Sequence, residues 1–184
     1  SWPPSAKETV QRAPGAILKL VGTDAVNVDV VRAYKAARPD GLVIYRPWFE
    51  FEDLSDPRGW ARRALAEAAP IAWAVDYYEG ENEVAQTRKR SAFARYAAWS
   101  VEYGDELHRH GEKYACLSSS VNNPKLELLP DYYPAFRIAD AISLHCYFWP
   151  RLAGSTGAYY YRQIFAALPA DCRKRVLITE CGAD

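Results

Sequence analysis

The chain has 184 residues, 49% apolar and 25% charged, the balance of a globular domain with one sizeable core. Its 23 basic and 23 acidic residues cancel and neither sign forms a long run, which removes the electrostatic argument for a nucleic-acid partner or a membrane surface. No apolar stretch approaches the roughly 18 residues of a membrane span.

The four cysteines, Cys116, Cys146, Cys172 and Cys181, lack the close pairing of a zinc site, so buried free thiols are expected and no metal or other cofactor. The chain starts at Ser1 without a charged-then-apolar leader and contains no methionine, which fits a piece of a longer protein.

In chain order, residues 1–15 are Pro-rich at the start, with a short helical possibility closed by Pro14 and Gly15. Residues 16–21 are a compact apolar run of strand length, closed by Gly22. Thr23 and Asp24 offer a cap for a helix over 25–37. Turn residues 38–41 lead into a second apolar run, 42–45, followed at once by Arg46, Pro47, Trp48 and Glu50. A helix is expected over 57–69, stopped by Pro70. A third strand is expected at 71–75, running into Asp76, Tyr77, Tyr78, Glu79, Glu81, Asn82 and Glu83. That cluster has no packing rationale, because buried carboxylates need partners.

A long helical stretch, 84–110, is rich in Ala, Arg and aromatics, with a break expected near Gly104 and Gly111 as its C-terminal cap. Residues 114–118 are a fourth strand candidate, followed by Ser119, Ser120, Asn122 and Asn123. After an irregular connection containing Pro and Tyr, residues 141–144 form the fifth, running into His145, Tyr147 and Trp149. A helix over 159–168 and a sixth strand over 175–179, ending in Glu180, complete the order.

Short apolar strands that alternate with helices, each ending in polar or aromatic side chains, define a parallel α/β architecture. Polar clusters recur at many strand ends and no Gly-rich phosphate loop follows any of them, so a (β/α)8 TIM barrel is favoured over an open doubly wound sheet. A full barrel takes roughly 250 residues and eight strands, so six strands make an incomplete one, in a single domain over 1–184.

Glu83 and Glu180 end different strands of one barrel and would converge on the same mouth. Hydrolysis of a glycoside needs such a pair, one to protonate the leaving oxygen and one to attack or to activate water. Asn82-Glu83 after one strand, His145-Cys146-Tyr147 after another and Thr179-Glu180-Cys181-Gly182 after the next resemble clan A of the retaining glycoside hydrolases. In that clan the acid/base glutamate follows an asparagine at strand four and the nucleophile ends strand seven. The resemblance spans about 16–182 and implies that strands one and eight lie outside the chain.

It implies Glu83 as general acid/base, Glu180 as nucleophile and Asn82 on the sugar 2-hydroxyl. Tyr147 is similar to the family's tyrosine beside the nucleophile, with His145 as a wall of the site. Arg46 is expected to keep a carboxylate ionised, though the family's arginine comes from another strand. Trp48, Trp149, Tyr77, Tyr78 and Phe148 are candidates for stacking on sugars. Asn122 and Glu79 complete the expected substrate-binding set, with Glu79 and Glu81 on the rim. The implied partner is an oligosaccharide or polysaccharide.

Two alternatives stay open. One is a metal-dependent barrel isomerase with Glu83, His145 and Glu180 around a divalent ion; the other is a carbohydrate-binding barrel without catalysis.

Overall fold

The computed structural model describes residues 16–23, 27–48, 54–84, 89–120, 122–148 and 159–183. Residues 1–15, Asp24, Glu50 and Trp149, on which expectations were placed, lie outside them. Among the described residues six parallel strands follow one another in sequence order: β1 (Ile17–Val21), β2 (Leu42–Arg46), β3 (Tyr77–Glu79), β4 (Tyr114–Ser119), β5 (Ala141–Phe148) and β6 (Arg175–Ala183). Five α-helices lie between them: α1 (Val28–Ala37), α2 (Pro57–Ala68), α3 (Arg90–Arg109), α4 (Leu129–Ile138) and α5 (Tyr160–Ala167). The expected α/β class and parallel order are present, curled into an incomplete TIM-like barrel. No helix among the described residues is long and apolar enough to cross a membrane.

Alternation along the strands sorts the core into two faces. Leu18, Leu20, Val43, Tyr45, Ile142 and Leu144 pack outward with the helices in the large apolar cluster. Ile44, Tyr77, Ala115, Ala141 and Leu177 form a smaller cluster on the inner face, with Ile17 and Leu42 against it. Side chains of a barrel interior stack in layers, and here the layers change character along the strands. The apolar floor is succeeded by Lys19, Glu79, Ser143 and Thr179, and then by Arg46, His145, Tyr147 and Glu180 toward the C-terminal ends.

Four local expectations change. Residues 71–75 are not a strand: Ala69–Ala74 is a 3-10 helix, and β3 begins at Tyr77 after two intervening residues. Ile71 and Ala74 are buried three apart while Ala72 and Trp73 are exposed, which is the threefold period of that helix. The cap of α1 is Asn27, whose Oδ1 accepts from the amides of Asp29 and Val30.

Helix α3 runs unbroken through Gly104, where a methyl group would stand 2.5 Å from Ile138 Cδ1 and 2.6 Å from Tyr114 Cδ1. The glycine is a close approach between elements rather than a break. The connection 119–140 contains α4, hidden from its pattern by Pro130 in the first turn and Pro134 inside. This helix packs on α3 through stacked Phe93 and Tyr132, with Tyr132 hydroxyl 2.6 Å from Ser100 Oγ. The expected Gly111 cap is present, at φ 79°.

Candidate active site

Parallel strands carry their C-terminal ends to one mouth, and the polar upper layer meets there. Glu180, late in β6, has its two carboxylate oxygens held differently. Oε1 lies 2.6 Å from Lys19 Nζ of β1, 3.4 Å from His145 Nε2 and 3.8 Å from Arg46 Nη1. Oε2 accepts from Tyr147 hydroxyl at 2.9 Å. Burial opposes the charge on Glu180, but Lys19, His145 and the Tyr147 hydroxyl outweigh it and hold the carboxyl below its ordinary range.

Glu83 follows β3 on the other side of the mouth. Its backbone has φ 58°, left-handed for a non-glycine residue, and its amide donates to Ser118 carbonyl at 2.9 Å. Leu117 and Ser118 also have positive φ, 84° and 37°. Such backbone is costly, and it concentrates here at the ends of β3 and β4. Glu83 Oε1 lies 3.0 Å from His145 Nδ1. One oxygen of Glu83, one of Glu180 and one ring nitrogen of His145 all fall within 4.8 Å of one another.

His145 is thus set between both glutamates, with no side-chain exposure. Lys19 Nζ is 3.2 Å from His145 Nε2, and which ring nitrogen donates depends on the tautomer. Arg46 donates to Asn82 Oδ1, tying the asparagine before Glu83 to the strand that approaches Glu180.

Beneath these groups, Glu79 has no exposed surface and lies 2.8 Å from Lys19 Nζ through Oε2. Its other oxygen accepts from Ser143, which is 2.7 Å from Thr179. Burial disfavours the Glu79 carboxylate, yet Lys19, Ser143 and Arg46 together keep its pKa below the ordinary value.

The structure therefore brings Arg46, Asn82, Glu83, His145, Tyr147 and Glu180 together. Glu79 lies buried in the layer between the apolar floor and the mouth and Glu81 is buried as well, so neither lies on the rim. Trp48 is 60% exposed just after β2, where Gly22 at φ 73° lets the two strand ends approach; a methyl group at Gly22 would stand 3.0 Å from Trp48 Cβ. Asn122 is partly exposed on the loop after β4, its carbonyl accepting from Lys125. Tyr77 and Tyr78 are withdrawn from sugar stacking. Tyr78 packs edge-on against Tyr45 in the outer core, and Tyr77 lies in the apolar floor.

The largest departure is Lys19, which the sequence reading passed over and which touches more of the cluster than Arg46 does. At 2.6 Å against 3.8 Å it is also the nearer cation to Glu180. Its signal was available: a lysine at the centre of a short buried parallel strand, where charge is rarely tolerated without a partner. A cleft of about 800 Å³ follows the open side of the barrel past Ile17, Leu42, Val176 and Ile178 and reaches Tyr147 and Glu180.

Glu83, His145 and Glu180 have the residue types of a divalent-ion site, but the oxygen of Glu180 nearest the others is already engaged by an ammonium at 2.6 Å. A cation placed there would meet Lys19 and Arg46, so the donor set does not fit an ion while both are charged.

No protein-family model matches this chain, and no curated protein matches it. Among solved structures it is similar to a family 39 glycoside hydrolase from the gut symbiont Bacteroides cellulosilyticus WH2, with a TM-score of 0.66 over 97% of this chain. The identity is 12%, and this chain spans 46% of that protein. The likeness is one of fold.

Proposed function

We propose that the protein belongs to a glycoside hydrolase that cleaves O-glycosidic bonds with retention, through Glu180 as nucleophile and Glu83 as general acid/base. The observation that carries this reading is the approach of the two carboxylates to within 4.8 Å at the barrel mouth. A bound of 4.8 Å between one oxygen of each is compatible with the roughly 5 to 5.5 Å spacing of carboxyl groups in retaining pairs. The similarity of the fold to a family 39 glycoside hydrolase supports a carbohydrate substrate.

The two environments suit the two roles. Glu180 is held ionised by Lys19 and Tyr147, as a nucleophile requires, and Oε2 is the oxygen less encumbered by cations. In the first step Glu83 gives its proton to the leaving oxygen as the bond from the anomeric carbon to that oxygen breaks and the bond to Glu180 forms. In the second, Glu83 takes a proton from water as water displaces Glu180. Asn82, oriented by Arg46, keeps its amide free in role to donate to a sugar hydroxyl, and exposed Trp48 offers a stacking face.

The test is incubation of the full-length protein with a mechanism-based fluorosugar and peptide mass mapping. A label on Glu180 is expected; a label elsewhere, or product of inverted configuration, sinks the assignment. The metal-dependent isomerase is the less supported reading because of the Lys19 ammonium beside Glu180.

A further inference from the structure

We propose that Lys19 is a positioning residue whose one positive charge is divided between Glu79 and Glu180, so that the buried Glu79 sets how firmly Glu180 is held as an anion. The geometry is a three-way contact at a single ammonium. Nζ lies 2.8 Å from Glu79 Oε2, 2.6 Å from Glu180 Oε1 and 3.2 Å from His145 Nε2. Lys19 donates to Glu180 Oε1 and forms an ion pair with Glu79 Oε2, so one ammonium stands between two carboxylates. Lys19 is 8% exposed at its side chain and Glu79 not at all, so solvent does little to screen either.

A carboxylate without exposure has a large desolvation cost, and the side chains that hold Glu79 are Lys19 and Ser143. Its presence is explained by what it does to Lys19. Were Glu180 the sole partner of that ammonium, the pair would be close and undivided, and a carboxylate so neutralised is a weaker nucleophile. With Glu79 as a second claimant, Glu180 remains ionised while part of the lysine charge is spent elsewhere.

The arrangement also has a consequence that rests on the double-displacement reading. When Glu180 is esterified it becomes neutral, and Lys19 then keeps Glu79 as a buried counter-ion instead of being left as an uncompensated buried charge. When the ester bond breaks, the ammonium is already in place to receive the returning carboxylate. The other groups facing Glu180 are Arg46 from β2, Glu83 after β3, and His145 and Tyr147 from β5. Of these, Arg46 also acts on Glu79 through its charge, while the ion pair that Glu79 makes at this cluster runs through Lys19.

The experiment is a carbon-13 NMR titration of glutamate carboxyls in the full-length protein, with the Glu180 signal assigned by its loss in Glu180→Gln. Lys19→Met is expected to raise the apparent pKa of Glu180 by about one unit, as loss of an adjacent opposite charge does. Glu79→Gln is expected to shift it the other way, because a like charge is removed and Lys19 turns wholly to Glu180. Shifts of the same sign in the two variants, or an unmoved Glu180 in Glu79→Gln, overturn the proposal. Glu79→Gln decides the matter alone should Lys19→Met not fold. The titration needs no turnover, so its failure is distinct from failure of the fluorosugar to label Glu180.

Discussion

Lys19 and Glu180 are 161 positions apart in sequence and sit on the first and last strands of the sheet, yet Nζ and Oε1 are 2.6 Å apart. Strands at opposite ends of a flat six-stranded sheet would be about 24 Å apart, five spacings of roughly 4.8 Å each. The contact is therefore a direct statement of curvature. It also ties the end strands to each other by side chains where no backbone ladder joins them among the described residues.

Replacing Glu83 by alanine is expected to lower turnover of substrates with poor leaving groups by about 10² to 10⁴-fold, the ordinary contribution of positioned proton transfer. Substrates with good leaving groups should be affected less in the first step. Added azide should restore turnover and yield the glycosyl azide of retained configuration. Absence of rescue, measured by product analysis, would remove the acid/base role from Glu83.

Metal removal should have no effect. Dialysis against a chelator is expected to leave turnover unchanged, since the Lys19 ammonium already satisfies the Glu180 oxygen an ion would take. Loss of activity on chelation, restored by a divalent ion, would instead favour the isomerase reading.

Glu79 gives the protein a definite acid sensitivity. Its folded pKa lies below the ordinary 4.5, so the native state binds fewer protons than the unfolded chain as acid is added. The stability it contributes is complete above about 4.5 and is lost as pH falls through the lower folded value. Urea unfolding followed from pH 7 down to pH 3 should show a steeper loss in the parent than in Glu79→Gln. Parallel curves would show that this carboxylate is not linked to folding.

Gly104→Ala should destabilise the protein although alanine is the better helix former. The propensity gain is about 1 kcal/mol, whereas the added methyl would press on Ile138 and Tyr114 at 2.5 and 2.6 Å. Overpacking of this kind costs about 1 to 3 kcal/mol, so a net loss of up to about 2 kcal/mol is expected in denaturant unfolding. A stabilised variant would mean that α3 and α4 separate at little cost.

Much of the architecture was legible because local rules and tertiary demand agree. The runs read at 16–21, 42–45, 114–118, 141–144 and 175–179 are short and mostly apolar, each is followed by polar side chains, and each falls on an observed strand. Where they failed, tertiary context supplied the missing term. Residues 71–75 have strand composition, but Ile71 and Ala74 find burial three apart, and Tyr77 and Tyr78 take the sheet positions instead. Pro134 argued against a helix that Tyr132 nevertheless holds against Phe93 and Ser100 of α3.

The sequence by itself determined the alternation of strands and helices, and it marked Asn82, Glu83, His145, Tyr147 and Glu180 as polar residues at strand ends, because periodicity and composition are local properties. The sequence also marked Glu79, as a rim residue; only the tertiary structure decided that Lys19 belongs with them and that Glu79 is buried beneath. A lysine in one apolar run and a glutamate after another are each anomalous alone. The reason for both appears once curvature carries β1 beside β6 and places one buried ammonium between two carboxylates, since ion pairing acts through space and leaves no spacing to read along the chain.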